Sequence, residues 1–205
     1  MTDGRFTVRV PRPDLALLDA LVERHAADER ELMHQWRARH RHLPAGELAS
    51  AHRRLRVEVA AERAAGRLLG TRSLLVAHGL HTELRERGWD RDWPDPGEAR
   101  WRRVAPGRPG DGAGTADPTV PAPVELPGDL AQRLTRACHW HLQDHRRQHR
   151  ATLDRRHGGR EAWSRKADRG DADVLAHLEA FRAGIVTEAQ VLRAAVERIL
   201  TPARR

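Results

Sequence analysis

Within the segment CHWHLQDHRRQH, residues 138–149, Cys138, His141 and His145 come nearest to ligand chemistry in type and spacing. On a helix His141 and His145 stand about one turn apart, where two imidazoles can share a zinc ion, and Cys138 could supply a third ligand. Leu142 stands where a metalloprotease helix carries its general-base glutamate, so a metalloprotease reading fails. Cys138 and His141 would make a nucleophile pair only with an oxyanion donor and a cleft, and no motif supplies either. The competing reading places Cys138, His145 and His149 in line with Leu134 and Leu142 on a half-buried helical face. On that reading there is no metal, and this is the expectation adopted.

Arginines offer a different chemistry. Arg146, Arg147, Arg150, Arg155, Arg156 and Arg160 are opposed only by Asp154 and Glu161. Spread over a helix surface, they suit phosphate contacts without base reading, or equally a solvated face. Trp89, Trp93 and Trp101 alternate with Arg87, Arg91, Arg100, Arg102 and Arg103, a pairing that can stack on unpaired bases. Asp90, Asp92, Asp95 and Glu98 cancel much of that charge, so these tryptophans are expected to pin the chain to the preceding helices. There is no Gly-rich phosphate loop and no Gly-x-Ser-x-Gly, and the serines are only Ser50, Ser73 and Ser164. The expectation is a protein without enzymatic activity and without a cofactor.

Composition bounds these options. The 37 Lys+Arg residues exceed the 29 Asp+Glu, giving a formal charge of +8 that favours a polyanionic partner. Lys166 is the only lysine, and Asn and Tyr are absent, the mark of a high-GC bacterial genome in which arginine replaces lysine throughout. Arginine abundance alone is therefore no sign of a binding surface; the excess of positive charge is. With 39% hydrophobic and 32% charged residues, the chain reads as helical with much solvated surface. No window is apolar enough for a membrane span, and Asp3, Arg5 and Arg9 exclude a secretory leader. A single cysteine fits a reducing compartment, so the expected location is the cytoplasm.

The elements that must position these groups begin with Arg5-Phe6-Thr7-Val8-Arg9-Val10, in which polar and apolar residues alternate. In an extended chain Phe6, Val8 and Val10 share one face, and Arg5, Thr7 and Arg9 the other. Pro11 ends the strand, and Pro13 with Asp14 starts a helical pattern carried by Leu15, Leu18, Val22, Leu32 and Trp36. A lone strand needs a partner edge. The other extended segment, Val120 to Leu126, is proline-rich and poorly suited to a central strand, so a second copy of the chain is the expected partner. This order of strand, proline and helices over residues 5–42 resembles the ribbon-helix-helix family of DNA-binding dimers. The resemblance implies a homodimer whose intermolecular ribbon enters the major groove, with Arg5, Thr7 and Arg9 reading base edges. It also implies a break between two helices near His25-Ala26-Ala27-Asp28. The alternative is an edge strand leading into one uninterrupted helix from Pro13 to His42.

Further along, a second helix spans Glu47 to Leu69 and a third starts at Ser73 as N-cap and ends at Gly88. Prolines and glycines from Trp89 to Pro123 mark a linker, expected to be mobile over Val104 to Ala122. Beyond it, helices are expected from Asp129 to Gly158, around Glu161 to Lys166, from Asp171 to Ala183 and from Thr187 to Leu200. The last pair resembles the short C-terminal SHOCT hairpin, carried by Ala183-Gly184-Ile185-Val186-Thr187-Glu188. That resemblance implies oligomerisation or docking of a protein partner, with Leu175, Leu178, Val191 and Leu192 clasped across the turn. A fainter echo links Val8, Pro11, Asp14-Leu15-Ala16, His25, Asp28 and Arg30 with Val124, Pro127, Asp129-Leu130-Ala131, His141, Asp144 and Arg146; so narrow a composition also produces such echoes by chance.

The sequence thus describes a mainly α protein: an N-terminal strand plus helical bundle (1–88), a Pro/Gly linker (89–127) and a C-terminal helical unit (128–205). The functional expectation is a bacterial DNA-binding dimer, regulatory or accessory to a mobile element. The alternative is a helical scaffold or adaptor that binds protein without nucleic acid.

Overall fold

A computed structural model describes residues 4–97 and 119–204. They form, in chain order, β1 (Gly4–Pro11), α1 (Arg12–His40), α2 (Ala45–Ala64), α3 (Arg72–Glu86), β2 (Thr119–Leu126), α4 (Gly128–His157), α5 (Arg160–Asp168), α6 (Ala172–Ala183) and α7 (Glu188–Leu200), with a short 3₁₀ turn at Pro202–Arg204. The protein is mainly helical, and no helix among the described residues is long and apolar enough to cross a membrane. Trp101 and most of the expected linker, including Val104 to Pro118, lie outside the described residues.

Local chemistry accounts for the helix ends. Pro11 and Pro127 each precede a long helix, with Asp14 and Asp129 in the respective first turns, where the helix dipole favours a carboxylate. Thr71, rather than the expected Ser73, caps α3: its Oγ accepts from Leu74 N at 3.1 Å. Gly158 closes α4 at φ 72°, a conformation that side chains with a Cβ rarely adopt. Gly184 follows α6, and Thr187 opens α7 in a reciprocal capping box with Gln190. Helix α1 runs unbroken through His25 to Asp28, where the ribbon-helix-helix resemblance implies a turn.

The two strands correct the expected pairing. Where a second copy is the expected partner, β1 lies antiparallel against β2 of the same chain, with Phe6 opposite Val124, Thr7 opposite Pro123 and Val8 opposite Ala122. Proline spacing explains how so poor a strand sequence pairs. Along an antiparallel pair alternate residues turn their N–H toward the partner. Glu125 N donates away from β1, to Ser73 Oγ at 2.9 Å, so the odd-numbered residues of β2 point their nitrogens outward. Pro121 and Pro123 occupy those positions and remove no rung of the ladder.

The ribbon's inner face builds the core. Val8, Val10, Ala122, Val124 and Leu126 are buried against Leu18 of α1, Leu80 and Leu84 of α3, Leu130 and Leu134 of α4, and Leu192 and Val196 of α7. Both sides of the linker therefore share one apolar core. Helices α3 and α7 cross so closely that a Cβ added to Gly79 would lie 2.6 Å from the carbonyl oxygen of Ala195. Of the residues expected to clasp across the last turn, Val191 and Leu192 are buried in the shared core, while Leu175 is exposed.

A smaller cluster of Trp36, Ala51 and Leu55 holds α2 against the distal half of α1, with Trp36 stacked between His40 and His52. The segment after α3 packs down rather than leading away. Trp89 is buried in the shared core, Trp140 Nε1 donates to Pro94 O at 2.8 Å, and Arg133 and Arg136 pair with Asp90 and Asp95.

Candidate nucleic-acid interface

Alternation along β1 buries Val8 and Val10 and leaves Arg5, Thr7 and Arg9 exposed on the opposite face, as the sequence predicts. From β2 the same face receives Pro121, Pro123 and Glu125. The outward surface therefore has one strand of Arg, Thr and Arg beside one of Pro, Pro and Glu.

The two arginines differ in engagement. Arg5 Nε lies 3.0 Å from Glu125 Oε1, with side chains 85% and 59% exposed. An ion pair that wet contributes about 0–1 kcal/mol, so a phosphate or a guanine edge can compete for the guanidinium. Arg9 faces Pro121 and makes no ion pair or side-chain hydrogen bond among the described residues. Thr7 sits opposite Pro123, which offers neither a competing donor nor a charge.

The six arginines of the second predicted group, Arg146, Arg147, Arg150, Arg155, Arg156 and Arg160, are all exposed. Arg147 pairs with Asp144 at 2.5 Å, and Arg155 Nε donates to Ala151 O at 3.1 Å. They occupy the distal half of α4 and the start of α5. At a helical rise of 1.5 Å per residue, Arg146 lies about 27 Å and Arg156 about 42 Å along the axis from Gly128. The structure does not bring them together with Arg5, Thr7 and Arg9 in one patch.

The candidate metal ligands are taken up by packing: the His141 and His145 rings lie parallel with centroids 6.4 Å apart, but each is also engaged with another group. Burial, then the nearby Glu188 carboxylate, pushes the Cys138 thiol up to about 12, far from the thiolate a nucleophile needs. His145 Nε2 sits 2.8 Å from Phe181 O with its ring stacked on Phe181, while the His141 ring lies 5.0 Å from Trp89. Among the described residues no three His, Cys, Asp or Glu side chains are grouped to hold an ion. Trp89 and Trp93 pack against the core or its edge and present no free stacking platform.

Two features escape sequence reasoning. His145 and His149 form a stacked histidine–aromatic seam with His177 and Phe181, joining α4 to α6. The signal was present: His141, His145 and His149 recur every four residues, as do His177 and Phe181. An open groove of about 910 Å³ lies between α1 and α2, lined by Met33, Leu55 and Val59 together with Arg53, Arg56 and Arg63. Its apolar positions look like ordinary helix core in the sequence.

Fold and site together define a mainly helical protein built on an intrachain two-stranded ribbon with an exposed basic strand. Comparisons with protein-family models, with curated proteins and with solved structures give no match.

Proposed function

We propose that this chain is a bacterial, cytoplasmic DNA-binding protein whose reader is the outward row of β1, Arg5, Thr7 and Arg9, carried on the β1–β2 ribbon. The observation that carries this reading is Arg9: exposed, unengaged among the described residues, and mounted beside Thr7 on a strand whose other face is locked into the core. A two-stranded ribbon fits the major groove, Arg can grip guanine O6 and N7, and Thr can reach a base edge or a thymine methyl. The expected homodimer is replaced by a ribbon complete within one chain. Arginines 146–160 serve as a distant, sequence-independent attraction for phosphate.

The test is fluorescence anisotropy of the full chain on a mixed-sequence duplex, from about 50 mM salt upward. Binding should weaken steeply with salt and should fall in the Arg5→Ala/Arg9→Ala double variant. Binding unchanged in that variant removes the ribbon as reader. No binding even at low salt rejects a nucleic-acid partner altogether.

One observation favours the second reading, a helical adaptor for another protein. The α1–α2 groove is apolar within and arginine-lined, which suits an acidic amphipathic helix. Substituting Arg53→Gln/Arg56→Gln, both exposed on that groove, should leave DNA binding nearly intact on the first reading.

A further inference from the structure

Thr71 and Thr187 cap equivalent ends of α3 and α7 and stand 116 positions apart. The same spacing separates Pro11 from Pro127, the residues before α1 and α4, and the buried pairs Val8 and Val124, Leu18 and Leu134, Leu80 and Val196, and Leu84 and Leu200. It spans strands, long helices and crossing helices alike, which a chance echo in a narrow composition does not explain.

Packing gives an independent sign of the same relation. In a two-fold interface a residue on the axis meets its own counterpart, and off the axis contacts come in reciprocal pairs. Thr7 pairs with Pro123, its counterpart at this spacing, at the ribbon's centre. Gly79 abuts Ala195, again its counterpart, at the α3–α7 crossing. On either side of Thr7 the pairs are reciprocal: Arg5 with Glu125, and Arg9 with Pro121. α3 packs on β2 and α7 on β1 in the same exchanged sense.

At the outward positions the halves have diverged. Where the first carries Arg5, Thr7 and Arg9, the second carries Pro121, Pro123 and Glu125. Proline has no side-chain donor, and a carboxylate repels phosphate and has no hydrogen to donate to guanine O6 or N7.

We infer that the chain is a tandem duplication folded as a single-chain counterpart of a two-fold dimer, in which only the first repeat reads, so that one chain occupies a duplex site lacking dyad symmetry. This rests on the DNA-binding reading proposed above. The test is selection of tight binders from a pool of duplexes with a randomised central segment, with complex mass measured by sedimentation. A motif without inverted symmetry, bound by one chain, is expected. Arg5→Ala/Arg9→Ala should lose about tenfold or more in affinity for it, while Pro121→Ala/Glu125→Ala loses none. Transplanting the first repeat's residues as Pro121→Arg/Pro123→Thr/Glu125→Arg should convert the selected motif to an inverted repeat. An inverted repeat selected by the unaltered chain, or two chains per duplex, overturns the inference while leaving DNA binding in place. A pool from which nothing is retained at low salt overturns both.

Discussion

Arg198 of α7 reaches across to the buried Glu83 of α3, its Nη2 2.9 Å from Oε2, and the same guanidinium also holds Glu86. Arg87 closes the other side of Glu83 at 2.6 Å. Burial alone would push this carboxyl up, but hydrogen bonds from Arg198 and Arg87 outweigh it and hold the group below its usual range. Glu83→Ala should therefore cost about 2 kcal/mol, seen as a lower urea midpoint. The sign with pH follows from linkage. Between the lowered folded pKa and the ordinary value, the unfolded chain binds more protons, so stability rises with pH there. The stability gap between the native protein and Glu83→Gln should be full at neutral pH and should close as pH falls through the folded pKa.

Gly79 tests the crossing of α3 and α7. A methyl at this position would meet backbone, the Ala195 carbonyl oxygen at 2.6 Å, and cannot be accommodated by turning a side chain. Although alanine is the better helix former, Gly79→Ala should destabilise by about 1–3 kcal/mol. Thermal unfolding would show it as a drop of a few degrees; a rise would mean that the helices have room to part.

Glu125 is the charge on the ribbon face that works against a nucleic acid. Removing it frees Arg5 and abolishes a repulsion, so Glu125→Gln should bind duplex DNA a few-fold more tightly and make binding more salt-dependent. Weaker binding in that variant would show the Arg5–Glu125 pair to be part of the reader.

The seam between α4 and α6 should loosen in mild acid. Burial first, then neighbouring histidines, lowers the pKa of both His149 and His177, and the groups facing them include His145, His157 and Arg156. His149 Nδ1 and His177 Nε2 are buried without a hydrogen-bond partner, so protonation gains no acceptor there. Groups with lowered folded pKa take up protons first in the unfolded state, so stability declines once pH drops below the ordinary histidine value of about 6.5. Replacing both by phenylalanine should flatten the melting temperature between about pH 7 and pH 5.5; an unchanged slope would place the acid sensitivity elsewhere.

Much of the architecture was legible in the chain. Alternation marked β1, the 3.6 period marked the helices, and Gly184 with Thr187 marked the last turn because cap chemistry is local. What escaped depended on distance. The partner of β1 lies more than a hundred residues away, and Pro121 and Pro123 disguise β2 unless one knows which way their nitrogens point. Ser73 looked like a cap because its hydroxyl suits one, yet Thr71 takes that role and Ser73 receives the Glu125 N–H instead. For the site, exposure of Arg5, Thr7 and Arg9 followed from their parity. The separation of the α4 arginines from them followed only from helix length, and the engagement of His141 with Trp89 and of His145 with Phe181 only from tertiary packing.

The outward nitrogens of β2 carry a last consequence. Beyond Thr119 at the strand's start, Pro121 and Pro123 present none with a hydrogen, and that of Glu125 is already spoken for by Ser73. A stray β-segment approaching that flank meets no row of donors to zip onto. The edge is thus guarded against runaway polymerisation by the same residues that make it look unfit to be a strand.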